Sequence, residues 1–325
     1  MNRTVLATVG LVGAATMLAT GQSAAQVMPN EAAAPTPQTH PFTGMTRGVG
    51  NPVLAVKVDN TTKAHPQAGL KKADIVYVEQ VEGGLTRIMG VFSSQLPSRV
   101  GPVRSARISD LHILRQFGRP AFGYSGAQSK LKPEIAKAPL YDVSQEKVPG
   151  PYARDQHRPA PYNLFGSPEK MLREAPKAGK AKDIGFRFGA EPTGGRKRSS
   201  FSVKYPTATF SFHWSGKAKK WLAAIDGKPD MAAEGGQLGA PTVVVQWCRM
   251  TRSKYHDSNG NYTPLIHTTG TGTGVVLRDG KAHDVKWSRP TDSAGTSFTT
   301  TTGKPMTFHR GQVWMVLAAK KPSVP

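Results

Sequence analysis

The sequence predicts an α+β protein, with a mixed α/β amino-terminal domain over residues 51–180 and an antiparallel β-rich carboxy-terminal domain over residues 201–320. Three observations predict it. In the first half, short β-branched apolar runs alternate with stretches that read as helices. In the second half, every patterned segment reads as a strand bounded by turn residues. Between them, from Ala175 to Ser200, the composition shifts to Gly, Lys, Arg and Pro, which marks 181–200 as a basic linker.

The first half opens with Val53-Leu54-Ala55-Val56-Lys57-Val58, a buried-strand pattern that stops at the turn residues Asp59 and Asn60. Pro66 to Lys72 reads as a short helix. Ile75 to Val81 is a second strand, and Gly83-Gly84 allows a tight reversal into a third, Leu85 to Phe92. The segment from Asp59 to Asp74 is long enough for a crossover, so the first two strands are expected to be parallel neighbours. After Gly101-Pro102, Val103 to Phe117 reads as a helix, with Ile108, Leu111 and Leu114 on one side. Ala121 to Tyr124 is a short strand, and Ala127 to Lys137 a weak helix interrupted by Pro133. Residues 142–163 read as an irregular loop. Pro168 to Glu174 is a helix with Ser167 as its expected N-cap.

In the second half, Thr209 to Trp214 alternates, and Lys220 to Ile225 ends at Asp226-Gly227. Thr242 to Trp247 is β-branched and apolar. Gly274 to Leu277 runs into Arg278-Asp279-Gly280-Lys281, a hairpin signature, and Val313 to Leu317 closes the series. The five tryptophans, Trp214, Trp221, Trp247, Trp287 and Trp314, all fall in this half and read as core packing.

The first 25 residues read as a secretory signal peptide. Arg3 precedes a mainly apolar run from Val5 to Ala19, and Ser23 and Ala25 suit a signal peptidase cut after Ala25. Residues 26–50, rich in Ala, Pro, Thr and Gly, read as a flexible tether. No later stretch has the length of a transmembrane helix. The chain carries 43 Lys and Arg against 21 Asp and Glu, a net charge of +22, nearly all of it beyond the leader. Such an excess favours polyanions. Nucleic acid would lead in the cytoplasm, but export sets it aside in favour of anionic cell-wall polymers or lipid headgroups. No zinc-finger spacing, no metal-ligand pair of histidines and no cofactor motif is present. The single cysteine, Cys248, excludes an internal disulfide and reads as a buried small side chain.

The densest polar set lies in the first half. Asp59 and Glu82 are expected at the carboxyl ends of two strands, with Gln80 facing Arg87 across the Gly83-Gly84 turn. Arg104 and Arg107, three apart at an expected helix start, suit a phosphate, sulfate or carboxylate. The same charges also read as a structural ion-pair network. Gly123-Tyr124-Ser125-Gly126 resembles a strand–turn–helix nucleophile elbow. It lacks the last glycine, and its partners, His157 or His213 with Asp142 or Asp155, are open; a capping serine is the simpler reading.

Taken together, Val56-Lys57-Val58-Asp59-Asn60, Pro66-Gln67-Ala68-Gly69-Leu70, Ala73-Asp74-Ile75-Val76-Tyr77, Glu82-Gly83-Gly84-Leu85-Thr86-Arg87 and Gly101-Pro102-Val103-Arg104-Ser105-Ala106-Arg107 resemble the YerB-like bacterial envelope lipoproteins. So do Ala160-Pro161-Tyr162-Asn163, Gly274 to Trp287 and Gly303 to Trp314, and the match spans most of residues 51–318. The resemblance implies a two-domain envelope protein whose amino-terminal domain has no assigned activity; it supplies no reaction. Many relatives carry a lipidated cysteine after the leader. None stands there in this chain, so release or retention by charge is expected in place of a lipid anchor. The expected function is binding of an anionic wall or lipid component by Asn60, Arg87, Arg104, Ser105, Arg107 and Asn163. The alternative is a cell-wall glycan hydrolase with Asp59 and Glu82 as acid and base.

Overall fold

A computed structural model describes Gly10 and residues 38–319, and among these described residues the chain forms twenty strands and three short α-helices. The expected leader, its cut after Ala25 and residues 26–37 of the tether lie outside the described residues, Gly10 excepted. The amino-terminal half carries β1 (Leu54–Asp59), β2 (Ile75–Gln80), β3 (Thr86–Phe92), α1 (Ile108–Leu114), β4 (Ala121–Gly123), α2 (Lys132–Lys137), β5 (Tyr141–Asp142), β6 (Tyr152–Arg154), β7 (Leu164–Gly166) and α3 (Pro168–Arg173). There follow β8 (Arg196–Lys197), β9 (Ser200–Lys204), β10 (Thr209–Ser215), β11 (Lys220–Ile225), β12 (Lys228–Pro229), β13 (Gly239–Ala240) and β14 (Thr242–Trp247). The last six are β15 (Arg249–His256), β16 (Tyr262–His267), β17 (Gly270–Arg278), β18 (Lys281–Arg289), β19 (Ser297–Thr300) and β20 (Val313–Ala318).

One eleven-stranded sheet runs through both halves in the order β19-β18-β17-β14-β20-β2-β3-β1-β4-β5, with β8 also on β18. The last strand explains the continuity. Val313-Trp314-Met315-Val316-Leu317-Ala318 is buried at every position, so both its faces need cover. It satisfies them as a central strand, parallel to β2 on one side and to β14 on the other. Residues 51–180 and 201–320 therefore share a sheet, and the second half is not purely antiparallel.

Alternation along the strands builds two cores. Leu54, Val56 and Val58 of β1, Val76 and Val78 of β2 and Ile88 of β3 pack with Met171 of α3 and with Phe210, Phe212 and Trp221 of a five-stranded second sheet. Ala55, Ile75, Tyr77, Met89 and Val91 face the other way, onto Leu111, Ile113 and Leu114 of α1 and Phe117 beyond it. Each fully buried Val or Leu contributes roughly 1.5–3 kcal/mol. Two two-stranded sheets, β6–β7 and β15–β16, complete the fold.

Four sequence expectations change. β1 and β2 are not neighbours, because β3 pairs antiparallel with both. The β2–β3 turn closes through three residues, Glu82 to Gly84, with Val81 N–H donating to the Leu85 carbonyl at 2.8 Å. That shift of one position puts Arg87 opposite Glu79, not Gln80, and so onto the other face. The helix starts at Ile108, not Val103. The Val103, Arg104 and Ala106 N–H groups donate to Leu164, Lys57 and Gly126 carbonyls, which holds 103–107 extended. Asp110 Oδ2 then accepts the Arg107 N–H at 2.6 Å and fixes the helix start. Finally, parts of the tether and of the basic linker are packed. Phe42 is buried edge-on against Phe117, and Ile184 and Phe186 are buried, Phe186 against Phe308. Large apolar side chains outweighed the polar composition around them.

The Asp279-Gly280 signature does form the β17–β18 turn, with φ of 49° and 72°, as a two-residue hairpin turn requires. Ser167 stands at the N-cap of α3 without a side-chain capping bond.

Candidate functional site

Asp59 of β1, Arg87 of β3 and Glu79 of β2 lie side by side on one sheet face, since Asp59 and Glu79 are both in register with Arg87. Two residues back along β1, the same face carries Lys57. Its ammonium is completely buried, 2.9 Å from Glu79 Oε1 and 2.6 Å from Asp110 Oδ1. Burial and the neighbouring Asp110 carboxylate push Glu79 far above the usual carboxylate range, beyond what Lys57 offsets. This cluster is sealed and has no route to a ligand.

Toward the strand ends the face opens into a cleft of about 430 Å³, walled by the 82–87 turn, the extended 104–107 segment and the β15–β16 loop around Asp257. Arg104 Nε stands 2.7 Å from Asp59 Oδ2, and Arg107 Nε 2.5 Å from Glu82 Oε1. Asp59 Oδ1 accepts the Thr61 N–H at 2.8 Å, and Glu82 also accepts the Thr263 hydroxyl. Burial pushes the Glu82 carboxyl up, but Arg107, Thr263 and Arg87 outweigh it and hold the group below its ordinary value.

Arg87 is different. Among the described residues it has no carboxylate within ion-pair distance; its NH1 donates to the Ser105 carbonyl at 3.2 Å. Burial, and then the Arg107 charge, push Arg87 down to about 9, which leaves it cationic at neutral pH. Across the cleft, Asp257 is occupied with its own loop, accepting the Asn259 and Asn261 N–H groups and the Asn261 amide.

The structure thus brings Asp59, Glu82, Arg87, Arg104, Ser105 and Arg107 together; Arg107 stands at a helix start, as the N-cap of α1, whereas Arg104 comes from the extended segment before it and Arg87 from β3. Asn60 turns away: its amide donates to the Thr86 hydroxyl and its carbonyl accepts from Gln67. Asn163 lies elsewhere, beside β7, holding Arg154 at 2.8 Å. Acid–base hydrolysis would need one carboxyl protonated near neutral pH. Glu82 is held ionised, and Asp59 is buried beneath Arg104. Among the described residues Ser125 makes no side-chain hydrogen bond to a histidine; its N–H donates to the Arg104 carbonyl. Burial pushes the Cys248 thiol up to about 12, which keeps it unreactive. Lys57 and Thr263 were missed from sequence. A lysine inside an otherwise apolar strand was the available signal for the first, since a buried ammonium requires carboxylate partners.

Two family models match the chain. Residues 42–181 match the DUF3048 N-terminal domain and residues 201–315 the DUF3048 C-terminal domain, each described as a protein of unknown function. The chain is 25% identical over 271 residues to the "Putative lipoprotein YerB" of Bacillus subtilis (strain 168), covering 81% of this chain and 80% of that protein. The crystal structure of Bacillus subtilis YerB superposes with a TM-score of 0.72 at 23% identity, over 87% of this chain and 97% of that one.

Proposed function

The chain belongs to the two-domain DUF3048 family of YerB-like proteins, and we propose that it is an exported cell-envelope protein that binds an anionic wall or lipid component in the arginine cleft. The carrying observation is Arg87, a half-buried cation that has no carboxylate partner among the described residues and is flanked by Arg104 and Arg107. Two of the three arginines neutralise Asp59 and Glu82 and are positioned by them. The third brings the unbalanced charge, and a phosphate or carboxylate seated there would complete the set. The envelope location is supported by the apolar leader in the sequence and by the printed description of the Bacillus subtilis relative as a lipoprotein. The excess of basic residues supports retention by charge.

The test is titration of the protein with inorganic phosphate, polyphosphate and phosphatidylglycerol vesicles at low and high salt. Arg87→Gln retains a donor for the Ser105 carbonyl and removes the charge. It is expected to weaken binding about tenfold at low salt, as loss of a charge-assisted contact would. Equal affinity in the variant and the wild type would remove the cleft from the function.

A further inference from the structure

We infer that the joint between the two halves of the fold is a second binding site, for an uncharged small molecule with an apolar body and a hydrogen-bond donor at one end. A cavity of about 520 Å³ lies between the loop after β1, the start of β3 and the β11–β12 turn. That is a normal size for a small-molecule site. Its walls are mostly apolar, with Ile225 half-buried and Pro229, Leu85 and Met231 exposed around the opening. Only five large apolar side chains are exposed among the described residues, and two of them, Leu85 and Met231, stand at this one opening. Concentrating exposed apolar surface around a concavity is a feature of ligand sites, whereas scattered single residues are not.

The polar group inside is built from both halves. Asp230, its side chain fully buried, places Oδ1 3.1 Å from Nδ1 of His65. A carboxylate only accepts, so a ring that carries a single hydrogen holds it on Nδ1 and offers Nε2 as an acceptor. Among the described residues Nε2 has no partner, and His65 is partly exposed where it lines the cavity. Asp230 Oδ2 is also buried without a hydrogen-bond partner among the described residues. The chain is strongly basic overall, but this cavity is lined by Asp226 and Asp230 against Lys228, with no arginine. It is therefore unsuited to the anions expected in the arginine cleft. The ligand that fits fills the apolar walls and donates a hydroxyl or amide hydrogen to His65 Nε2.

The test uses the mature chain with two probes, 4-phenylphenol and 4-methoxybiphenyl, which share an apolar body and differ in the donor. Saturable one-to-one binding is expected, with the phenol favoured at least about fivefold, the worth of one hydrogen bond. His65→Ala should erase that preference and leave the ether's affinity unchanged. Met231→Ser, at an exposed position that does not threaten folding, should weaken both probes about threefold or more and leave phosphate binding untouched. Failure of either probe to saturate the wild type, a preference that survives His65→Ala, or probe binding indifferent to Met231→Ser would overturn the site.

Discussion

Two groups of charges lie over the same sheet face, one sealed between β1, β2 and α1 and the other open at the strand ends. In the sealed group Lys57 holds Glu79 and Asp110 with no exposure of any of the three side chains. A few residues along, Arg104 and Arg107 hold Asp59 and Glu82, but the arginine side chains keep 27% and 14% of their surface in water. Burial is the difference, and it changes what each ion pair is for. Water cannot screen or replace Lys57, so its removal leaves the buried Asp110 carboxylate and the Glu79 carboxyl without their cation. At the cleft, solvent shares the load, and Arg87 is the one arginine of the three with no carboxylate in ion-pair distance among the described residues, the charge proposed to meet a ligand.

The largest effect should follow from breaking the sealed group. Lys57→Met retains the stem and removes the charge, and it is expected to cost about 3–5 kcal/mol in denaturant unfolding. A loss below about 1 kcal/mol would mean that the two groups do not differ.

Titration gives a smaller but more specific contrast. Glu79 has its folded value raised, so the stability it contributes is full below its ordinary value of 4.5 and is lost as pH rises through the raised value. Glu82 has its folded value lowered, so its contribution is present above 4.5 and is lost as pH falls. The wild type should therefore lose stability between about pH 5 and about pH 8 through Glu79, and Glu79→Gln should flatten that slope. An unchanged slope in Glu79→Gln would show that the sealed carboxyl does not hold its proton.

Most of the strand content of this comparison was legible in the sequence, because β-branched runs at 53–58, 75–81, 242–247 and 313–317 are local signals. Their neighbours were not, because pairing is non-local. Nothing within Val313–Ala318 says that it will enter between β2 and β14. The hairpin register was missed by one position for a related reason. Gly83-Gly84 advertises a turn but does not say whether two or three residues close it; in the structure Glu82 joins the turn and is held by Arg107 and Thr263 from distant parts of the chain. That single position decided which residue faces Arg87. Asp59, Glu82, Arg87, Arg104 and Arg107 were nonetheless named together, from their closeness in the motifs and not from the correct register. Asn60 and Asn163 were drawn into the expected site by motif proximity, and the structure uses them to hold backbone and side-chain neighbours elsewhere.

The cleft itself should respond less than the sealed cluster to loss of a cation. Arg107→Ala leaves Glu82 with the Thr263 hydroxyl and solvent, and a cost of about 1–3 kcal/mol is expected in the same unfolding measurement. A cost equal to that of Lys57→Met would place the cleft with the sealed core, and the ligand reading would lose its physical basis.

The scale ends with a pair that neither seals nor binds. Arg173 and Glu169 meet at 2.7 Å one turn apart on α3, with 60% and 75% of their side chains exposed. The distance equals that of Arg104 to Asp59, so geometry alone would rank the two pairs together. Solvent screening ranks them apart. The Arg173→Ala variant should change unfolding free energy by no more than ~0.5 kcal/mol, and less in high salt. If it costs as much as Arg107→Ala, then charge contacts in this protein are set by distance and not by access to water, and the contrast between the sealed group and the open cleft would have no energetic content.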